Sequence, residues 1–146
     1  MSGKSKRLNW FSRVTIGIFI WVLFSWVLAL AVIGFVEHRY HVKVDGKVFL
    51  THWMPGRFRL SNPMIIWKNN LRVTSGNIDV SLNSVSLSNQ TMMVTLHGRN
   101  LEAEMGKKKY PIRQADVVLE FQKSDEPIIH SFKIDSPMIQ MNLREK

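Results

Sequence analysis

Five histidines, eleven acids and a cluster of serines are the side chains of this chain that could do chemistry. His38 and His41 stand three apart beside Glu37, a spacing at which two imidazoles can share a metal ion. The HExxH pattern of zinc hydrolases is absent, so the pair reads as a polar cap on the end of a helix. His52, His97 and His130 are far apart in sequence and read as polar surface. The serines crowd between Ser75 and Ser88, and none stands in G-x-S-x-G. Neither a P-loop nor G-x-G-x-x-G occurs. Glu102 and Glu104 share one strand face, where such a pair is ordinarily solvated. With 0 cysteines there is no disulfide, thiolate ligand or cysteine nucleophile. These residues predict no catalytic or metal-binding set and no cofactor, and so a protein that is not an enzyme.

The element that dominates the chain is the uncharged run Val14–Val36. As a helix it is about 35 Å long, against about 30 Å of bilayer hydrocarbon. It predicts a single-pass membrane protein in three parts. These are a basic tail over residues 1–13, a transmembrane helix over 14–36, and a β-rich extracytoplasmic domain over 37–146. Ala29-Leu30-Ala31 has the small residues of a signal cleavage site, but the apolar run continues past it, further than a signal h-region of about 7–15 residues. The expectation is a retained anchor. Trp10 and Phe11 before the run and Tyr40 after it suit the headgroup belts. Trp21 and Trp26 inside it read as lipid-facing bulk. Ser25 and Ala29 form a small-xxx-small pair, a pattern too common to assign a contact.

Net charge is +9 in 146 residues. Lys4, Lys6, Arg7 and Arg13 precede the span with no acid among them, whereas Arg39, Lys43 and Lys47 follow it. The positive-inside rule then sets the tail in the cytoplasm and the large domain outside. Lys107, Lys108 and Lys109 form the strongest later cluster. They read as a solvated hairpin tip or as a contact with anionic headgroups, where each Lys is worth about 1 kcal/mol. No basic face interleaved with aromatics occurs, which argues against nucleic acid as a partner.

Past Val42 apolar and polar residues alternate, the mark of strands with one buried face. Asp45-Gly46 suggests a tight hairpin between Val42–Val44 and Val48–Leu50. Ser75-Gly76-Asn77, Ser88-Asn89-Gln90, Gly98, Gly106 and Ser124–Pro127 read as further turns between strands of five to nine residues. Val85 and Leu87 follow Ile78, Val80 and Leu82 in a shifted phase. Pro111–Ala115 has room for one helical turn. The fold class is a single N-terminal transmembrane α-helix followed by an all-β domain. That domain is a curved antiparallel meander sheet, as a taco-like groove or an open sandwich.

Ile78, Val80, Leu82, Val94, Leu96, Val117, Leu119 and Phe121 make the apolar face of this sheet, continued by Ile139 and Met141. No helix after residue 40 is long enough to cover it. A second sheet, a partner chain or lipid must do so. The last predicted strand, holding Ile139, Met141 and Leu143, suggests docking onto a protein partner or a second copy through the sheet edge.

Phe58-Arg59-Leu60-Ser61-Asn62-Pro63-Met64-Ile65 recurs as Phe132-Lys133-Ile134-Asp135-Ser136-Pro137-Met138-Ile139. The shared content is a strand, a polar corner, a proline and a new strand. Together with the basic tail, the single span and the phrases Leu71–Gly76, Ile78-Asp79-Val80 and Gly98-Arg99-Asn100-Leu101, this resembles the start of AsmA-like proteins. That family includes the TamB-type and other repeating-β-groove proteins of the bacterial envelope. The resemblance implies an anchor in the cell inner membrane, a periplasmic taco-shaped sheet, and an apolar groove that carries phospholipid. Family members are far longer. Even ten strands reach only on the order of 50 Å, so a short relative, a truncated groove or an assembly partner is implied. Two functions follow as expectations: lipid handling through the apolar face, with phospholipid acyl chains as partners, or a non-enzymatic structural subunit of an inner-membrane complex.

Overall fold

The computed structural model describes residues 3–68, 70–123, 126–137 and 140–144. One helix, α1 (Gly3–Tyr40), is followed by seven strands. These are β1 (Val42–Leu50), β2 (Arg57–Trp67), β3 (Leu71–Ser86), β4 (Thr91–Met105), β5 (Lys108–Phe121), β6 (Ile128–Asp135) and β7 (Gln140–Arg144). α1 takes in the apolar run and extends back through the basic tail to Gly3. It stops at Tyr40 because His41 adopts the left-handed conformation (φ 53°) that ends helices. The Glu37 carboxylate accepts from the backbone N–H of Val44 (2.8 Å), which folds β1 back against the helix end.

The strands form one antiparallel sheet in chain order, β1 to β7, with β1 and β7 as its two open edges. The helix-plus-meander architecture is the one the sequence predicts, but the strands are longer than expected. β1 runs straight through Asp45-Gly46, so there is no hairpin there. β3 runs through Ser75-Gly76-Asn77 and β4 through Gly98-Arg99-Asn100. Pro111–Ala115 is strand, not a helical turn.

The false turn signals fall on one line across the sheet. Pairing skips Gly46 opposite Asn62-Pro63, skips Gly76 opposite Asn100, and skips Arg113 opposite Asn100. Asn62 and Asn100 are left-handed there (φ 48° and 51°). A side chain at Gly46 would stand 3.0 Å from the Pro63 Cα, so only glycine permits that approach. Pro63 is fully buried and has no amide to give the ladder. Each irregularity bends its strand without ending it, and in line they crease the sheet. A second irregularity, between Leu82 and Ser84, produces the phase shift read before Val85. The two copies of the proline corner lie on this same crease. In the first copy β2 continues through it. In the second, β6 ends at Asp135, and the Ser136 hydroxyl donates to the Pro111 carbonyl (2.8 Å) before β7 begins. Met138 and Ile139 lie outside the described residues.

The register aligns the apolar residues in rows. Leu50, Phe58, Val80, Leu96, Val117 and Phe132 form one row, and Val48, Leu60, Ile78, Gly98, Ala115 and Ile134 the next. Gly98 leaves a gap in its row that the Leu101 side chain fills, at 2.9 Å from where a Cβ would stand. Phe58, Leu60, Ile78, Val80, Val94 and Phe121 are buried in one cluster with Ala29, Val32 and Tyr40 of α1. The expectation that a second sheet, a partner chain or lipid must cover the face is therefore corrected, although no helix follows residue 40 among the described residues. The C-terminal half of α1, read from sequence only as membrane span, packs on it. A flat sheet would hold β1 about 19 Å from β5. Tyr40, two residues before β1, nonetheless stacks on Phe121 of β5 at 5.1 Å, so the sheet curls around the helix.

Candidate functional site: a groove between helix and sheet

α1 divides into two stretches by burial. Residues 9–24 are exposed on every side. From Ser25 onward one stripe turns inward: Ser25, Ala29, Val32, Val36 and Tyr40, at helical spacing. Ser25 and Ala29 are 3% and 1% exposed, and their small side chains let the helix axis approach the sheet. Two bonds fasten the end of the helix to the end of β5. Arg39 donates to the Lys123 carbonyl, and the Tyr40 hydroxyl to the Gln122 carbonyl (3.3 Å).

The helix does not fill the curl. Between it and the ends of β3, β4 and β5 lies an open cavity of about 700 Å³. Leu28, Ala31, Val32 and Phe35 form its helical wall, and Leu82, Val85, Leu87, Met92 and Phe121 its sheet wall. Arg39, Gln122 and Lys123 are also in the lining, with Ser86, Gln90 and Thr91. The volume falls within the roughly 300–1,000 Å³ of small-molecule sites. Apolar walls with two cationic residues in the lining suit an apolar ligand with a polar or anionic head. The lining includes the hydroxyls of Ser86 and Thr91 and holds no histidine or carboxylate.

All eight predicted face residues share one side of the sheet, as their pairing shows: Val80 with Leu96, Leu82 with Val94, Leu96 with Val117, Val94 with Leu119. Ile78, Val80, Val94 and Phe121 are buried; Leu82, Leu96, Val117 and Leu119 are half-exposed. Leu82 and Phe121 line the cavity directly. Arg13 is exposed on α1, and Lys4, Lys6 and Arg7 lie in its first turns. Lys107, Lys108 and Lys109 are exposed at the β4–β5 turn, a full length of β5 from the cavity, and Lys109 donates to Glu102 (3.0 Å). The structure does not bring these lysines to the groove. The sequence reading missed the helical wall, Phe58 and Leu60. Its one available signal was the Ser25–Ala29 pair.

The opposite face carries a polar row: Arg59, Asp79, His97, Asp116 and Lys133. Arg59 donates to Asp79 (2.6 Å), and this bond holds the Asp79 carboxyl below its ordinary range and raises the guanidinium. Burial pushes Asp116 up, but bonds from His97 and from Gln114 (2.8 Å), with the His97 and Lys133 charges, leave it lowered. Glu120 is lowered by donation from Gln122 (2.9 Å) and by His130. Arg99 donates to the far nitrogen of His97 (3.1 Å), so the row is cross-linked along and between strands.

Among the described residues α1 is the one helix long and apolar enough to cross a membrane, over Asn9–Tyr40. No group of three or more His, Asp or Glu able to hold a metal gathers among them. Compared with known proteins, the chain matches no family model, no curated protein and no solved structure.

Proposed function

We propose that this protein is a membrane-anchored β-groove protein that takes a phospholipid acyl chain from the bilayer into the cavity between α1 and the sheet. The observation that carries this reading is the makeup of the cavity wall: Leu28, Ala31, Val32 and Phe35 belong to the same apolar run that spans the membrane. A ligand in that cavity stays continuous with the hydrocarbon. Apolar surface removed from water is worth about 25 cal/mol per Å², so an acyl chain completes the core the helix leaves open. Arg39 and Lys123, also in the lining, are the residues that would meet its phosphate headgroup. The resemblance to AsmA-like proteins points the same way. With the basic tail in the cytoplasm, it gives a cell inner membrane location with the sheet in the periplasm.

A photoreactive residue replacing Leu82 or Met92 tests the reading in whole cells. We expect phospholipid adducts at both positions and none at Thr95 or Gln114, on the opposite face. Equal labelling of the two faces, or no lipid adduct at Leu82 and Met92, contradicts it. The edges of the sheet support a second, compatible role. β1 and β7 each pair on one side only, so strand addition at an edge would join a longer groove, a partner subunit or a second copy. Crosslinks from β7 to another polypeptide would establish that role.

A further inference from the structure

The β1–β2 loop, Thr51–Gly56, presents large apolar side chains at an exposed tip of the sheet. Trp53 is 78% exposed and Met54 49%, with Phe49 at 52% just before them. The Trp21 indole N–H donates to the Trp53 carbonyl (2.6 Å), which fixes the level of this loop against α1. Trp21 lies about 12 Å along the helix axis from Arg13, the last charge before the apolar run. The hydrocarbon is about 30 Å thick. With Arg13 at one headgroup layer, Trp21 lies inside the hydrocarbon, and so does the loop bonded to it. The candidate span Asn9–Tyr40 is about 48 Å long, so α1 must leave the bilayer within it. It does so along the stretch that the sheet flanks.

We propose that the β1–β2 loop inserts into the bilayer beside α1, with Trp53 and Met54 among the acyl chains. Several of the loop's polar groups are already bonded, as insertion requires. The Trp53 carbonyl accepts from Trp21, the Met54 N–H donates to His52 (3.3 Å), and the Gly56 carbonyl accepts from Leu82 (2.7 Å). The loop and Trp21 together form one wedge at the foot of the groove. This inference rests on α1 being the membrane span but not on what the cavity binds.

The chain has no cysteine, so a single introduced thiol reports one position. Nitroxide-labelled Trp53→Cys and Met54→Cys, each in the full chain in phosphatidylethanolamine–phosphatidylglycerol nanodiscs, are compared with Phe19→Cys inside the span and Lys107→Cys in water. Trp53→Cys keeps the backbone carbonyl that meets Trp21. We expect the oxygen-to-nickel accessibility ratio at positions 53 and 54 to match that at 19 and to exceed that at 107 several-fold. A ratio at 53 and 54 equal to that at 107, with 19 protected, overturns loop insertion and leaves the anchor standing. Water exposure at 19 as well overturns both.

Discussion

The two faces of the sheet are held together by different physics. On the apolar face, rows of Phe, Leu, Ile and Val pack against the Ser25–Tyr40 stripe of α1, and the strength is in burial. On the other face, Arg59, Asp79, His97, Asp116 and Lys133 form a polar row across five strands, and the strength is in hydrogen bonds and ion pairs that water and salt weaken. Changes on the first face should therefore unfold the domain, whereas changes on the second should tune it. The apolar face is itself uneven. Phe58, Leu60, Ile78, Val80, Val94 and Phe121 are buried, whereas Leu82, Leu96, Val117 and Leu119 are only partly so.

Phe58→Ala should separate the faces most strongly. Phe58 is 2% exposed at the centre of the cluster, and its loss should cost about 3–5 kcal/mol in urea unfolding followed by circular dichroism. Leu119→Ala, in the half-open part of the same face, should cost less, about 2 kcal/mol. Equal losses at the two sites would mean that α1 does not cover one part more than the other. Gly98→Val comes next. A Cβ there would stand 2.9 Å from Leu101, which can shift only by giving up its own place in the row. About 1–3 kcal/mol of overpacking strain is expected, with partial rescue by Leu101→Ala. Asp116→Asn, on the polar face, should stay within the ~0.2–1 kcal/mol of partly exposed ion pairs, and its effect should shrink in high salt.

Acid gives the smallest contrast. Asp79, Asp116 and Glu120 have lowered folded values. Their contribution is thus present above the unfolded values of about 3.9 for Asp and 4.3 for Glu. It is lost as pH falls through the folded ones. Thermal melts of the full chain should fall below about pH 4. The Asp79→Asn/Asp116→Asn double variant should show a shallower acid limb. An identical limb would remove the ladder as its source.

Face membership was legible because alternation has a period of two, and Ile78 to Phe121 obeyed it through every crossing. The phase break before Val85 was legible for the same reason. Strand ends were not. Gly46, Asn62 and Asn100 have the residue types of turns because a bulge and a turn make the same demand on φ. Only the strand lying opposite decides between them, and sequence does not show it. The helical wall was hidden for another reason. The run Val14–Val36 of α1 is apolar all round and long enough to cross a membrane, so the stripe that packs on the sheet has no polar back to set it off. Ala29 and Val32 look no different from Leu30 and Val27. The cavity, which depends on that packing, was invisible with it.

The central claim is that a lipid chain completes the core which α1 leaves open. Native mass spectrometry of the full chain, released from nanodiscs, tests it most directly, with Ala31→Trp as the variant that fills the cavity from its exposed helical wall. The account predicts a one-phospholipid adduct that survives detergent removal in the unsubstituted protein and is lost in Ala31→Trp while the β-sheet signal is kept. A folded protein that carries no adduct, or one whose adduct persists unchanged in Ala31→Trp, would contradict it.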